Sequence, residues 1–207
     1  MNWYLQAAKL HLYAFYLLEE SAMEGYNDNI LSLYQAAKSL IDLSQDLNSN
    51  QFLLGHCPFF CYQIYVCASF VILKIWTNHF FRQMIDEDAG RALIDTTIIA
   101  LRTISVVNND LPARLGDVLA FLCTLDDPSV VGGKSAADLR LREVRNRLSM
   151  SVVYDSLWIW RKHFKSRDAG DERTTSSQDK YSLHAVAVKL ANFFTLGFGP
   201  RSLVRLG

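Results

Sequence analysis

The stretch that comes nearest to a catalytic motif is PSVVGGKS, at residues 128–135. Its Gly-Lys-Ser ending matches a phosphate-binding loop, in which backbone N–H groups cradle the phosphates and a lysine reaches them. That motif also needs an earlier glycine, and Pro128, which has no N–H, occupies its position. We therefore expect a flexible connection rich in small residues. A nucleotide-dependent enzyme is the weaker alternative, and it requires nucleotide binding that Lys134→Ala abolishes.

A second group of reactive side chains comprises His56, Cys57 and Cys61. Structural zinc takes four ligands, commonly paired at short spacings, and no second cluster accompanies this one. Free cysteine is among the most often buried residue types, so these thiols are predicted to pack in a core. The five histidines are scattered, and Asp126 and Asp127 are typical of a turn. We predict no catalytic, cofactor or metal site, and a protein that is not an enzyme.

The strongest charge asymmetry lies within residues 140–167, where eight basic side chains accompany two acidic ones. Arginine together with tryptophan and tyrosine is the mixture found at binding hot spots. A solvated helix face is the first interpretation, and a contact for a protein or a small anion is the second. Direct nucleic-acid binding is disfavoured, because the arginines do not share one face and no recognition helix accompanies them. The predicted interaction surface comprises Arg145, Arg147, Tyr154, Trp158, Trp160 and Arg161.

Composition indicates one domain with a substantial core, since half of the 207 residues are hydrophobic. The 21 basic and 21 acidic residues cancel, so no overall field recruits nucleic acid. Four cysteines without a visible secretory signal predict reduced thiols in an intracellular protein.

The chain is organised around residues 57–76, CPFFCYQIYVCASFVILKIW, in which Lys74 is the one formal charge. Pro58 suits the first turn of a helix, and a helix over about 58–79 would be apolar on every side. Such a helix must be surrounded, either by other helices or by lipid, since about twenty apolar residues cross a bilayer. Lys74, the scattered aromatic residues and the amphipathic neighbours favour a core helix. A helical membrane protein with a span near 58–76 is the alternative.

Helical periodicity predicts seven helices, and strand-like alternation is nowhere sustained. The helices cover about residues 2–20, 30–47, 58–79, 88–107, 110–125, 138–164 and 181–196. Acidic residues at 86–88 favour the start of the fourth helix, Asp110 caps the fifth, and Pro112 lies in its first turn. Residues 126–137 are predicted to form a loop. The expected fold class is all-α, an irregular bundle of about seven helices around the central apolar helix.

The expected domain organisation has three parts. Residues 1–164 form the helical domain, and residues 181–207 form a last helix and a tail. Between them, KSRDAGDERTTSSQDK at 165–180 has no apolar residue larger than Ala169. It cannot offset its own ordering entropy, so a disordered linker is predicted.

Three segments resemble a known family: CPFFCYQIYVCASFVILKI (57–75), SVVNNDLPARLGDVLAFL (105–122) and VRNRLSMSVVYDSLWIWR (144–161). They are similar to the C-terminal half of the regulatory region, or middle homology region, of fungal zinc-cluster transcription factors. Within that family they look most like regulators of the leucine-pathway type, over about residues 1–165. The resemblance implies a nuclear, non-enzymatic, all-helical regulatory domain that receives a signal and controls an activation segment.

The same resemblance implies what this chain lacks. Members of the family bind DNA through an N-terminal cluster of six cysteines that holds two zinc ions, whereas the four cysteines here have the wrong spacing. The chain therefore looks like a fragment of a larger region that reaches DNA only through a missing N-terminal domain. The expected partners are a small-molecule effector, the transcription machinery or a co-regulator, and a second copy in a homodimer. No functional residue is carried over from the family.

Overall fold

The protein is described by a computed structural model over residues 2–51, 53–106, 110–125, 129–141 and 150–170. These residues form helices and connections without a β-strand, so the predicted all-α class is confirmed. The α-helices are α1 (Asn2–Tyr13), α2 (Tyr26–Gln51), α3 (Leu53–His56), α4 (Phe59–Thr77), α5 (His79–Arg82), α6 (Glu87–Thr103), α7 (Leu111–Cys123), α8 (Ser129–Gly132) and α9 (Ser151–Gly170). Two 3-10 turns, η1 (Ala14–Leu18) and η2 (Ala136–Leu139), complete the described elements.

Helix α4 lies at the centre of the bundle, and each of residues 61–77 is buried. Helices α2, α6, α7 and α8 pack around it, as a helix that is apolar on all sides requires. It is long and apolar enough to cross a membrane, with a mean hydropathy of 1.6, but 89% of that stretch is buried within the protein. The prediction of a central apolar helix covered by its neighbours is confirmed.

Helices α1 and α2 form an outer pair that packs on this centre. The inward face of α1 comprises Trp3, Ala7 and Leu10, as its periodicity predicts. The indole N–H of Trp3 donates to the hydroxyl of Ser44 on α2 at 2.8 Å. The predicted helix over 2–20 is shorter than expected, because its last turn tightens into η1.

Aspartates cap the starts of α6 and α7, and the cap at Asp110 was predicted from the sequence. A carboxylate oxygen of Asp86 accepts from the N–H of Ala89 at 3.0 Å, and one of Asp110 accepts from the N–H of Ala113 at 3.2 Å. Pro112 lies in the first turn of α7. These caps satisfy N–H groups that have no partner inside the helix.

The connection after α7 differs from the prediction in two ways. The loop expected at 126–137 contains α8 and the start of η2, and the helix expected from residue 138 begins at Ser151 in the described part of the chain. The reason is local: Ser135 and Asp138 form a capping box that closes the 3-10 turn. Arg140 then adopts an extended conformation, which ends the turn. Residues 142–149 lie outside the described residues.

The C-terminal boundary also differs. Helix α9 continues to Gly170, so residues 165–170 of the predicted linker are helical. Once a helix is nucleated, each further residue adds a hydrogen bond, even where the side chains are polar. The chain divides into two compact units, Met1–Trp160 and Arg161–Gly207, and of the second only residues 161–170 are described. The rest of the predicted linker and the helix predicted at 181–196 lie outside the described residues.

Candidate functional site

The aromatic residues of the predicted interaction surface separate in the structure. Trp158 on α9 is 39% exposed and Tyr154 is half-buried, whereas Trp160 is only 5% exposed. Residues two apart on an α-helix point about 200° away from each other, so Trp158 and Trp160 cannot share a face. Trp160 is a core residue, and its predicted place on the surface is wrong.

The arginines contribute less to the described surface. Arg145 and Arg147 lie outside the described residues, and Arg161, which is half-buried, belongs to the second unit. What remains of the prediction in the first unit is Tyr154 and Trp158, which are four residues apart and therefore on one side of α9. We call these two residues the aromatic face of α9.

A buried ion pair lies immediately beside this face in the sequence. A carboxylate oxygen of Asp155 is 2.6 Å from the ammonium nitrogen of Lys74 on α4, and both side chains are at most 2% exposed. The same nitrogen is 3.5 Å from the carbonyl oxygen of Val131, at the outer limit of a hydrogen bond. Removing two charges from water is costly, and only close geometry between them compensates for it. The pair therefore fixes which part of α9 faces α4.

A strap, which we define as residues 129–141, closes over the C-terminal end of α4. The side-chain amide of Asn78, itself buried, donates to the carbonyl oxygens of Gly132 at 2.6 Å and Ser135 at 2.9 Å. The backbone N–H of His79 donates to the carbonyl oxygen of Gly133 at 3.0 Å. These bonds connect the strap to the residues that end α4 and begin α5.

The two glycines of the strap are required by its geometry. A Cβ atom at Gly132 would overlap backbone atoms of Lys74, Thr77 and Asn78. Gly133 has a φ of +85°, in the left-handed region that other residues rarely adopt. The double glycine therefore lets one backbone run directly against another.

The Gly-Lys-Ser sequence does not fold as a phosphate-binding loop. A carboxylate oxygen of Asp138 accepts from the N–H groups of Lys134 at 3.0 Å and Ser135 at 2.9 Å, and from the Ser135 hydroxyl at 2.9 Å. A bound phosphate would need such N–H groups, and an acidic side chain already occupies them. The nearest described element before the strap is the helix α7, where the motif needs a strand. The predicted flexible connection is instead a structured strap.

The two cysteines near the start of α4 are partly or fully buried. Cys61 is buried, and the half-buried Cys57 lies with its sulfur 3.8 Å from the carbonyl oxygen of Leu54. Burial raises the pKa of both thiols, which disfavours the thiolate that metal ligation needs. Within the described ranges, no three His, Cys, Asp or Glu side chains are grouped so that they could hold a metal ion.

An open cleft of about 370 Å³ lies between α1 and α2. Its polar lining includes Gln6, Lys9 and Tyr13 from α1 and Ser32 and Gln35 from α2. Ligand sites typically measure about 300–1,000 Å³, so the cleft has room for a small polar molecule.

Sequence reasoning missed the Lys74–Asp155 pair, although the sequence carries a signal for it. Lys74 is the one charged residue in 58–76, and Asp155 is the one charged residue in 150–160. Lone opposite charges in two apolar helices predict pairing, because buried charges are almost always paired.

No protein-family model, curated protein or solved structure matches this chain.

Proposed function

We propose that this chain is a non-enzymatic regulatory module of a fungal zinc-cluster transcription factor, acting in the nucleus. It would receive the signal of a small-molecule effector or a protein partner and pass it to the transcription machinery or a co-regulator. Contact with DNA would require a six-cysteine cluster with two zinc ions, and the 207 residues of this sequence include four cysteines.

The observation that carries the proposal is the placement of the aromatic face of α9. Tyrosine and tryptophan are enriched among residues that dominate binding energy, because they bury a large area at a small entropic cost. Trp158 is 39% exposed, and the ion pair of the intervening Asp155 attaches its helix to α4. An exposed aromatic side chain on a firmly attached helix suits a contact with a partner protein.

The sequence resemblance supports the same proposal. In the part of the chain that the structure describes, its three segments overlap α4, α7 and the first part of α9. These elements include the central helix and both members of the buried ion pair. The resemblance thus concerns the residues that determine packing.

The test is a transcription reporter. The full chain is fused to an unrelated DNA-binding domain, and transcription is measured from a promoter that carries the matching site. We expect the fusion to change transcription and Trp158→Ala to reduce that change several-fold, since truncating a hot-spot residue costs about 2 kcal/mol or more. Ile99→Ala on α6, where the side chain is 65% exposed, is the matched control and should behave as the unmodified fusion. A fusion that leaves transcription at the level of the DNA-binding domain alone contradicts the proposal.

The expected effector and the homodimer are parts of the proposal with separate tests. In the described structure, the cleft between α1 and α2 is the candidate effector site. Lys9→Ala removes a polar side chain from its lining and should weaken the effector response if the effector binds there. Sedimentation equilibrium of the purified chain reports whether it forms a dimer.

The membrane alternative has one observation in its favour, the length and hydropathy of α4. Carbonate extraction of membranes from expressing cells distinguishes the two proposals. We expect the chain in the soluble fraction, because the neighbours of α4 already cover it. Retention in the carbonate-washed membrane would support a span at α4 and count against the regulatory bundle.

A further inference from the structure

The strap and α9 meet at one side chain. Lys74 extends from α4 with its ammonium nitrogen 2.6 Å from Asp155 of α9 and 3.5 Å from the carbonyl oxygen of Val131 in the strap. All three residues are buried, with exposures of 2% or less. The strap also precedes α9 along the chain, so two successive segments contact the same buried charge.

The strap has its own attachments away from Lys74. Asn78 and His79 hold its glycines, and the N–H of Leu141 donates to the carbonyl oxygen of Leu17 at 2.9 Å. Two of its own side chains, Val131 and Leu139, are buried, with exposures of 2% and 0%. The strap therefore excludes water from the Lys74 ammonium as long as it is closed.

Opening either segment changes the free energy of the other. If the strap lifts, water reaches Lys74, and the attraction between Lys74 and Asp155 weakens because it now acts through a higher dielectric. If α9 detaches, the Lys74 ammonium loses its carboxylate in a dry site, an unfavourable state that hydration under an open strap relieves. Each opening thus makes the other easier.

We propose that the strap (residues 129–141) and residues 151–160 of α9 open and close as one cooperative unit through their shared contact with Lys74. This is a conformational device, and it would determine whether the aromatic face of α9 is held in its binding position. That regulatory consequence rests on the proposed function, whereas the cooperative opening does not.

The first experiment needs no substitution. Hydrogen–deuterium exchange of the full chain is followed by mass spectrometry at increasing, sub-denaturing urea concentrations. In one cooperative unit, peptides from the strap and from residues 151–160 converge on the same free energy of opening and the same urea dependence, below the urea concentration at which the rest of the chain joins them. If the two sets of peptides keep different urea dependences up to global unfolding, the proposal is wrong.

The second experiment loosens the strap alone. Gly132→Ala forces the strap away from α4, and we expect exchange to rise about tenfold or more in the strap and also in residues 151–160. Gly116→Ala on α7 is the control, because a Cβ there meets no atom closer than 3.5 Å. Faster exchange confined to residues 129–141 would overturn the coupling.

A third arm removes the shared contact. The double variant Lys74→Met/Asp155→Leu replaces the pair with apolar side chains. Adding Gly132→Ala to it should accelerate exchange in the strap. Exchange in residues 151–160 should stay at the rate of the double variant. An undiminished effect on those residues contradicts a role for Lys74. Hydrogen exchange measures the coupling and does not depend on transcription. The reporter assay measures the proposed function and does not depend on exchange. Either proposal can therefore fail while the other stands.

Discussion

Lys74 and Asp155 carry the largest electrostatic consequence of any single contact described here. The two charges lie 2.6 Å apart with both side chains at most 2% exposed. Breaking such a pair from one side leaves an uncompensated buried charge, whereas replacing both partners with apolar groups of similar volume is often neutral or stabilising.

We expect Lys74→Met to lower the free energy of unfolding by about 3–5 kcal/mol, because Asp155 then stays buried without its cation. Lys74→Met/Asp155→Leu should recover most of that loss. Urea denaturation of the two single variants and the double variant gives the coupling energy. The control is Lys38→Met, which removes an exposed ion pair with Asp42 at 2.8 Å and should cost less than about 1 kcal/mol. A double variant as unstable as the sum of the single variants would contradict a buried pair.

Because the thiol of Cys67 is buried, we expect the free energy of unfolding to fall at alkaline pH. Its thiol is fully buried on α4, and burial raises its pKa from 9.0 to about 12. Above pH 9 the unfolded chain releases this proton while the folded chain retains it, so the unfolded state binds fewer protons and stability falls as pH rises towards 12. At about pH 10.5 the expected loss from this group is roughly 2 kcal/mol.

Urea denaturation at neutral and alkaline pH measures this effect. Cys67→Ala should show a shallower pH dependence than the unmodified chain. Some dependence should remain, because burial also raises the pKa of Tyr65 to about 12. Equal slopes for the two proteins would show that Cys67 does not retain its proton.

Among the elements, the crossing of α6 over α4 depends on one glycine. A Cβ at Gly90 would lie 2.6 Å from the indole ring of Trp76. That ring is held by a hydrogen bond of 3.0 Å to the carbonyl oxygen of Glu87 and lies beneath the guanidinium groups of Arg82 and Arg91. The indole has little freedom to move aside.

We expect Gly90→Ala to destabilise the fold by about 1–3 kcal/mol through overpacking against Trp76. Gly116→Ala, in the neighbouring α7, should instead be neutral or stabilise by up to about 1 kcal/mol, because its nearest contact is an ordinary 3.5 Å. Thermal unfolding followed by circular dichroism compares the two. A pair of variants with the same sign of effect would contradict this view of the α4–α6 crossing.

At the same scale, local sequence predicted where α6 and α7 begin, but it did not predict the strap. Asp86 and Asp110 are caps whose partners lie three residues away, so the sequence alone contains both halves of each interaction. The strap follows instead from contacts of Asn78 with residues more than fifty positions away. The sequence predicts that Asp138 begins a long helix, whereas in the structure Asp138 closes the capping box of η2.

For the molecule as a whole, the central position of α4 determines the architecture. A helix without a polar face is stable in water only if neighbours cover it, and α2, α6, α7 and α8 pack around α4, whose residues 61–77 are buried. The same burial explains why the segment resembles a membrane span in composition and yet forms a core.

The sequence by itself determined the fold class, the central helix and the starts of α6 and α7, because periodicity and caps are interactions between residues a few positions apart. Only the tertiary structure decided which charges and which surfaces matter. It buried Trp160 beside an exposed Trp158, joined Lys74 to Asp155 across 81 positions, and turned a Gly-Lys-Ser sequence into a strap. Those outcomes depend on which helices meet and in what register, and this is fixed by the packing of the whole core rather than by any local pattern.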